Sequence, residues 1–135
     1  MVASQKFSQI GVEQTDTYQA LHNQGCLLFD KGNYQEALTY FDRLLELNPD
    51  NQQAWAFRGT VLLFLKRYTE ALESCDRALL LDPKDSETWV MRGAALHRLN
   101  RYQQAYKSYD RALGIERKPI FKKIIETVLS LIKAS

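Results

Sequence analysis

Gly25, Gly59 and Gly93 stand 34 residues apart. Tyr34, Tyr68 and Tyr102 keep the same step, and so do Ala37, Ala71 and Ala105. Three unrelated residue types on one period constrain the fold more than any composition could. Self-similarity every ~20–50 residues means stacked supersecondary units, and a 34-residue step with small residues at these places points to helix–turn–helix units. Such units cannot bury an apolar face alone, so the core lies between neighbours and the stack presents an extended surface. Surfaces of this kind bind other molecules far more often than they catalyse reactions.

The period divides the chain into blocks 18–51, 52–85 and 86–119. Each reads as two amphipathic helices joined by a short turn: Asp30-Lys31-Gly32-Asn33, Leu65-Lys66-Arg67 and Leu99-Asn100-Arg101. Asn48-Pro49-Asp50 and Leu81-Asp82-Pro83-Lys84-Asp85 separate the blocks; proline stops the second helix and the acids favour the next N-terminus. Residues 1–16 lack helical periodicity and read as an extended or mobile lead-in, with Thr15, Asp16 and Thr17 offering N-caps for the first helix. The repeat domain is thus expected over 17–135.

At 135 residues, 45% hydrophobic and 25% charged, the chain has the size and composition of one domain with a core that needs neither disulfide nor metal. Cys26 and Cys75 have no metal-type spacing and do not suggest a secreted scaffold. A reducing, cytoplasmic setting is expected. The start, Met1-Val2-Ala3-Ser4-Gln5-Lys6, does not read as a signal peptide, and no apolar run is long enough for a membrane span. Charge is uneven. Residues 1–50 hold three bases and seven acids, whereas 98–135 hold nine bases and three acids. The basic end suits an acidic partner or an anionic surface.

With these places filled, the chain resembles tetratricopeptide repeat proteins, whose pattern is W-x2-L-G-x2-Y, then A-x3-F, then P. The second block supplies Trp55, Arg58-Gly59, Leu62, Ala71, Cys75, Ala78 and Pro83. The third supplies Trp89, Arg92-Gly93, Leu96, Ala105, Tyr109 and Ala112. The first supplies Leu21, Gln24-Gly25, Leu28, Ala37, Phe41, Leu44 and Pro49. Leu21 replaces the usual Trp, and Arg117 the closing Pro, with Pro119 two places on. The resemblance implies an all-α, right-handed superhelix of three repeats. Independently of it, Gly at the eighth place and Ala at the twentieth allow two helices to approach closely, and Trp55, Trp89, Phe41 and Tyr109 fill the space between neighbouring repeats. Tyr34, Tyr68 and Tyr102 read as packing residues with wet hydroxyls.

An open stack needs a terminal cap with a polar outer face. Residues 119–133 are expected to supply it, with Pro119 at the first helical position. On a helical wheel Ile120, Phe121, Ile124, Ile125, Val128, Leu129, Leu131 and Ile132 occupy one half, and Lys122, Lys123, Glu126, Thr127, Ser130 and Lys133 the other. The apolar half exceeds the stripe of roughly 100° that a docked surface helix needs. Ile120, Ile124, Val128, Leu129 and Leu131 therefore mark a second contact face for a dimer mate, a partner helix, or an anionic membrane met through Lys118, Lys122, Lys123 and Lys133.

The resemblance also implies that the first helix of each repeat lines a peptide-holding groove. By place, the lining comprises Gln19, His22, Asn23, Cys26, Phe29 and Asp30 from the first block. The second gives Gln53, Ala56, Phe57, Thr60, Leu63 and Phe64; the third gives Glu87, Val90, Met91, Ala94, His97 and Arg98. One subclass of the family clamps the C-terminal carboxylate of chaperones with Lys and Asn at the fifth and ninth places of the first repeat. It adds Asn at the sixth place of the second and Lys and Arg at the second and sixth of the third. Here those places hold His22, Cys26, Phe57, Glu87 and Met91, so the clamp is absent and a carboxylate would meet Glu87. The groove offers an apolar floor instead, suited to an apolar or amphipathic peptide. Phe57 and Met91 can equally serve packing between neighbouring first helices. Phe7, Ile10 and Val12 of the lead-in are further candidates to lie in it.

Catalytic chemistry is not expected. His22 and His97 have no partner at ligand spacing, Cys26 and Cys75 no evident base, and there is no phosphate loop, nucleophile elbow or paired carboxylate. Nor do bases interleave with exposed aromatics as nucleic-acid binding would require. The sequence therefore predicts an adaptor or scaffold for a protein partner, without cofactor or metal, or else a self-associating module that dimerises through its closing helix or its stack ends.

Overall fold

The computed structural model describes residues 2–116 and 120–134. Among them seven helices follow in order: α1 Val2–Asp30, α2 Tyr34–Leu47, α3 Gln52–Phe64, α4 Tyr68–Leu81, α5 Ser86–Arg98, α6 Tyr102–Leu113 and α7 Ile120–Ala134. The pairs α1·α2, α3·α4 and α5·α6 pack within repeats, α2·α3 and α4·α5 between them, and α3 also touches α5. The first helices thus form one layer and the second helices another.

Each pair closes on its glycine. A Cβ on Gly59 would lie 2.9 Å from the Cys75 Sγ and 3.4 Å from the Ala71 carbonyl oxygen, and one on Gly25 would lie 2.9 Å from the Phe41 ring. Gly93 meets Tyr109 in the same way. The large residue at the twenty-fourth place therefore packs first on the glycine of its own repeat. Ala37, Ala71 and Ala105 are fully buried opposite, as their spacing predicts.

Each turn between paired helices needs one left-handed residue, and all three sit at the same repeat place: Gly32 (φ 79°), Lys66 (φ 60°) and Asn100 (φ 61°). Between repeats, the Asn51 side chain accepts from the Ala54 amide at the start of α3, and Asp85 accepts from the Thr88 amide at the start of α5. The indole N–H of Trp55 donates to the Pro49 carbonyl at 2.7 Å, and that of Trp89 to the Pro83 carbonyl at 2.8 Å. The Trp of one repeat thus fastens the loop that leaves the previous one. Leu21 opens the first repeat, where no such loop precedes, and needs no indole.

Two expectations are corrected. The lead-in 1–16, read as extended or mobile, is not extended: it is helical from Val2 and continuous with α1, so Thr15, Asp16 and Thr17 lie inside a helix and do not cap one. No proline interrupts residues 1–30, and a single Gly11 costs a helix only about 1 kcal/mol. The side chains of Phe7, Ile10 and Val12 lie outside the described ones, as do Arg117, Lys118 and Pro119 altogether. The closing helix forms, but not as a docked cap: the described residues of α7 are all exposed, and none of the described helices packs along it. The outer face of α6 is consequently open. Tyr106 and Leu113 occupy the places where Leu38 and Leu72, and Leu45 and Leu79, are covered by the next repeat.

Candidate functional site

Along the first helices, where the groove is expected, aromatic residues gather into two clusters that include Phe41 and Tyr34 of α2. At one end His22 of α1 stands edge-on to Phe57 of α3 at 5.0 Å and to Phe41 at 6.0 Å. Phe57 lies parallel to Phe41 at 5.4 Å. The Cys26 Sγ is 3.6 Å from His22 Nε2, and the Gln19 side chain donates to Asn23 at 3.0 Å. Further along, Phe29, Tyr34 and Phe64 form a triangle with centroids 5.0–5.3 Å apart.

Two hollows follow along α3 and α5. A small one of about 70 Å³ is lined by Ala56, Phe57, Thr60, Asp85, Glu87, Thr88 and Met91. A larger cleft of about 410 Å³ is lined by Leu63, Phe64, Lys66, Tyr68, Met91, Ala94 and Arg98. Met91 lines both. Carboxylates of Asp85 and Glu87 border the first, and cations of Lys66 and Arg98 the second, so an apolar trough runs between ends of opposite charge. Phe57, Thr60 and Met91 thus meet at the first hollow, and Phe64, Met91, Ala94 and Arg98 at the second. Val90 and Gln53 are exposed beside the hollows and line neither, and His97 turns edge-on to Tyr102 at 5.1 Å.

The titratable groups are poised for structure. Burial pushes the Cys75 thiol up to about 12, with the Asp76 charge adding to the effect. Cys26 is also raised, by burial and then by Asp30. Both thiols stay protonated at neutral pH, which disfavours nucleophilic use. Among the described residues no three His, Cys, Asp or Glu side chains converge in a way that could hold a metal, and no helix is long and apolar enough to cross a membrane.

Sequence reasoning missed a second periodic feature. Arg58 Nε donates to Asp42 at 2.8 Å and its Nη1 to the buried Ser74 hydroxyl at 2.6 Å; one repeat later Arg92 binds Asp76 at 2.7 Å and Ser108 at 2.7 Å. The guanidinium groups of Arg58 and Arg77 both lie over the Trp55 ring, and those of Arg92 and Arg111 over the Trp89 ring. Each set borders a hollow, of about 560 Å³ beside Trp55 and about 430 Å³ beside Trp89. The signal was available: Asp42/Asp76, Arg58/Arg92 and Arg77/Arg111 all keep the 34-residue step.

Paired helices closed on glycine and stacked through an indole-fastened loop define a helical-repeat protein. The sequence model of the tetratricopeptide repeat matches residues 22–86, and a second model of the same repeat matches 74–107. The chain belongs to the tetratricopeptide repeat family. No curated protein sequence matches it significantly. Among solved structures it is similar to the second tetratricopeptide domain of Spaghetti (RPAP3) bound to the HSP90 peptide SRMEEVD. That match has 25% identity and a TM-score of 0.72, and covers 77% of this chain and 96% of that one. The second such domain of human RPAP3, in complex with the HSP70 peptide SGPTIEEVD, has 25% identity and a TM-score of 0.71, covering 76% and 85%. MamA from Desulfovibrio magneticus RS-1 has 28% identity and a TM-score of 0.69, covering 72% of this chain and 55% of that one.

Proposed function

We propose that the chain is a protein-interaction module whose groove holds an apolar or amphipathic segment of a partner protein and not a chaperone carboxylate. The observation that carries this reading is the His22–Phe57–Phe41 cluster. Two of its members, His22 and Phe57, stand at places where the clamping subclass presents a lysine and an asparagine to a C-terminal carboxylate, and Phe41 backs Phe57 from the core. Rings fill the ground where charge would have to be, and Glu87 repels an anion there. The RPAP3 domains with HSP90 and HSP70 peptides support a peptide-holding use of the shared fold, while the residues here favour a different peptide. A segment with apolar anchors for the Phe64–Met91 trough, an acidic residue toward Lys66 and Arg98, and a basic one toward Glu87 fits best.

The test is affinity capture with the wild-type chain and with Phe64→Glu, whose ring is 53% exposed and can be changed without opening the core. Partners retained by the wild type and lost by the variant support the reading. Identical recoveries contradict it.

A second reading, self-association through the stack end, is favoured by one observation. Tyr106 and Leu113 on α6 are 57% and 71% exposed at places that are buried in the earlier repeats. Light scattering on Leu113→Lys separates the two: a fall in mass supports self-association, and an unchanged monomer leaves the groove as the working surface.

A further inference from the structure

The apolar half of α7 forms a continuous surface whose described residues range from 43% exposed at Ile125 to 78% at Ile120. Three kinds of occupant compete for it: the chain's own stack, a second copy, and a lipid surface.

The stack is a poor match. Continuing the 34-residue step from α3 and α5 puts Lys123 where Trp55 and Trp89 stand, Glu126 where Arg58 and Arg92 stand, and Thr127 where Gly59 and Gly93 stand. Lys123 cannot supply the indole that packs there. Glu126 would bring a carboxylate to the place at which arginine meets Asp42 and Asp76. The helix is not built as the next first helix of this stack.

A second α7 fits little better. Each copy carries three lysines and one glutamate, so pairing brings like charges together. A two-helix seam also buries a narrow stripe, whereas this face spans half the helix. Half a cylinder is the shape that a planar apolar boundary covers. The polar half is arranged to match: Lys133 lies along the edge formed by Leu129, Lys123 toward the edge formed by Thr127 and Ile120, with Glu126 and Ser130 between them. Lysines at both edges can lay their stems along the apolar boundary and place their ammonium groups among lipid phosphates.

We infer that α7 is an in-plane anchor that lies on an anionic lipid surface, tethering the repeat stack while its groove stays open. At 15 residues the helix is too short to span a bilayer, so it lies along the surface.

The experiment is sedimentation of the full chain with vesicles of phosphatidylcholine alone and with 30% phosphatidylserine (about the anionic share of a charged leaflet), at low and high salt. The chain is expected to follow the anionic vesicles and to be released by salt. Lys123→Gln with Lys133→Gln should weaken binding about 25-fold, or about fivefold per lysine. Ile124→Glu with Val128→Glu should abolish it, with thermal unfolding of the repeats unchanged. Leu129→Trp should show blue-shifted emission on anionic vesicles. Phe64→Glu should bind vesicles as wild type does, which separates this inference from the groove. Absence of phosphatidylserine-dependent sedimentation would overturn it, as would binding that survives Ile124→Glu with Val128→Glu. So would a drop in mass on that substitution without lipid binding, which would mark a second copy as the occupant.

Discussion

The ring of Phe57 lies on the ring of Phe41 with centroids 5.4 Å apart and an angle of 5° between their planes. Phe41 is fully buried against Gly25 in its own repeat, whereas Phe57 is 36% exposed on the groove side. One contact therefore ties α3 to α2 and paves the trough. An anion brought against that ring would lose hydration with no cation to replace it, which supports the proposal that the groove is not a carboxylate clamp.

Phe57→Leu should cost about 1 kcal/mol, the order of the ring–ring term it removes. Phe57→Ala should cost about 2 kcal/mol, less than a fully buried phenylalanine because part of the ring is already wet. Urea denaturation of the three proteins checks the order. Equal stability of wild type and Phe57→Leu would deny the contact its role.

Arg58→Ala and Arg92→Ala should each cost about 2 kcal/mol, and by similar amounts, since each leaves a buried serine hydroxyl without its donor. Asp42→Ala should cost less than about 1 kcal/mol, because that carboxylate is 45% exposed. Combining Arg58→Met with Ser74→Ala should recover most of the loss. A double-mutant cycle with no coupling would contradict the bridge.

Lys66→Gly should stabilise the chain by about 1 kcal/mol, since Lys66 holds a left-handed conformation that glycine adopts freely. Gly32→Ala, at the same place in the first repeat, should destabilise it comparably. Calorimetry would show melting temperatures moving in opposite directions by about 3–5 °C.

Burial alone would raise the Asp85 carboxyl, but hydrogen bonds from the Thr88 hydroxyl, the Gln52 amide and the backbone N–H groups of Thr88 and Glu87 hold it below its ordinary value. A depressed folded pKa contributes stability that is present above about pH 4 and is lost as pH falls through the folded value. Asp85→Asn should therefore be less stable than wild type at pH 7, with the gap closing toward pH 3. A gap independent of pH would show that the charge is not involved.

What the sequence made legible follows from how tightly each place is packed. Gly59 faces Cys75 and the Ala71 carbonyl so closely that only one residue type serves, and the requirement recurs at Gly25 and Gly93 as a visible period. The places proposed to line the groove follow the same period, through the register of α1, α3 and α5. The helical course of residues 2–16 was not, because a helix without proline or strong amphipathicity leaves little periodic trace. The docking of α7 was not legible either: its wheel shows an apolar half, but packing depends on whether Tyr106 and Leu113 present a complementary surface. The Arg58–Asp42–Ser74 bridge kept the period in plain view, and polar residues at helix surfaces are easily read as mere solvation.

The central claim is that the trough through Phe57, Phe64 and Met91 selects apolar segments and rejects an acidic chain end. Selection of a random peptide library on the immobilised chain, repeated on Phe64→Glu, measures that preference directly. The account predicts peptides with spaced apolar residues and internal acids, no preference for a free C-terminus, and loss of the selected set on Phe64→Glu. Enrichment of peptides ending in an acidic carboxylate, as in SRMEEVD, or a set that binds Phe64→Glu equally well, would contradict it.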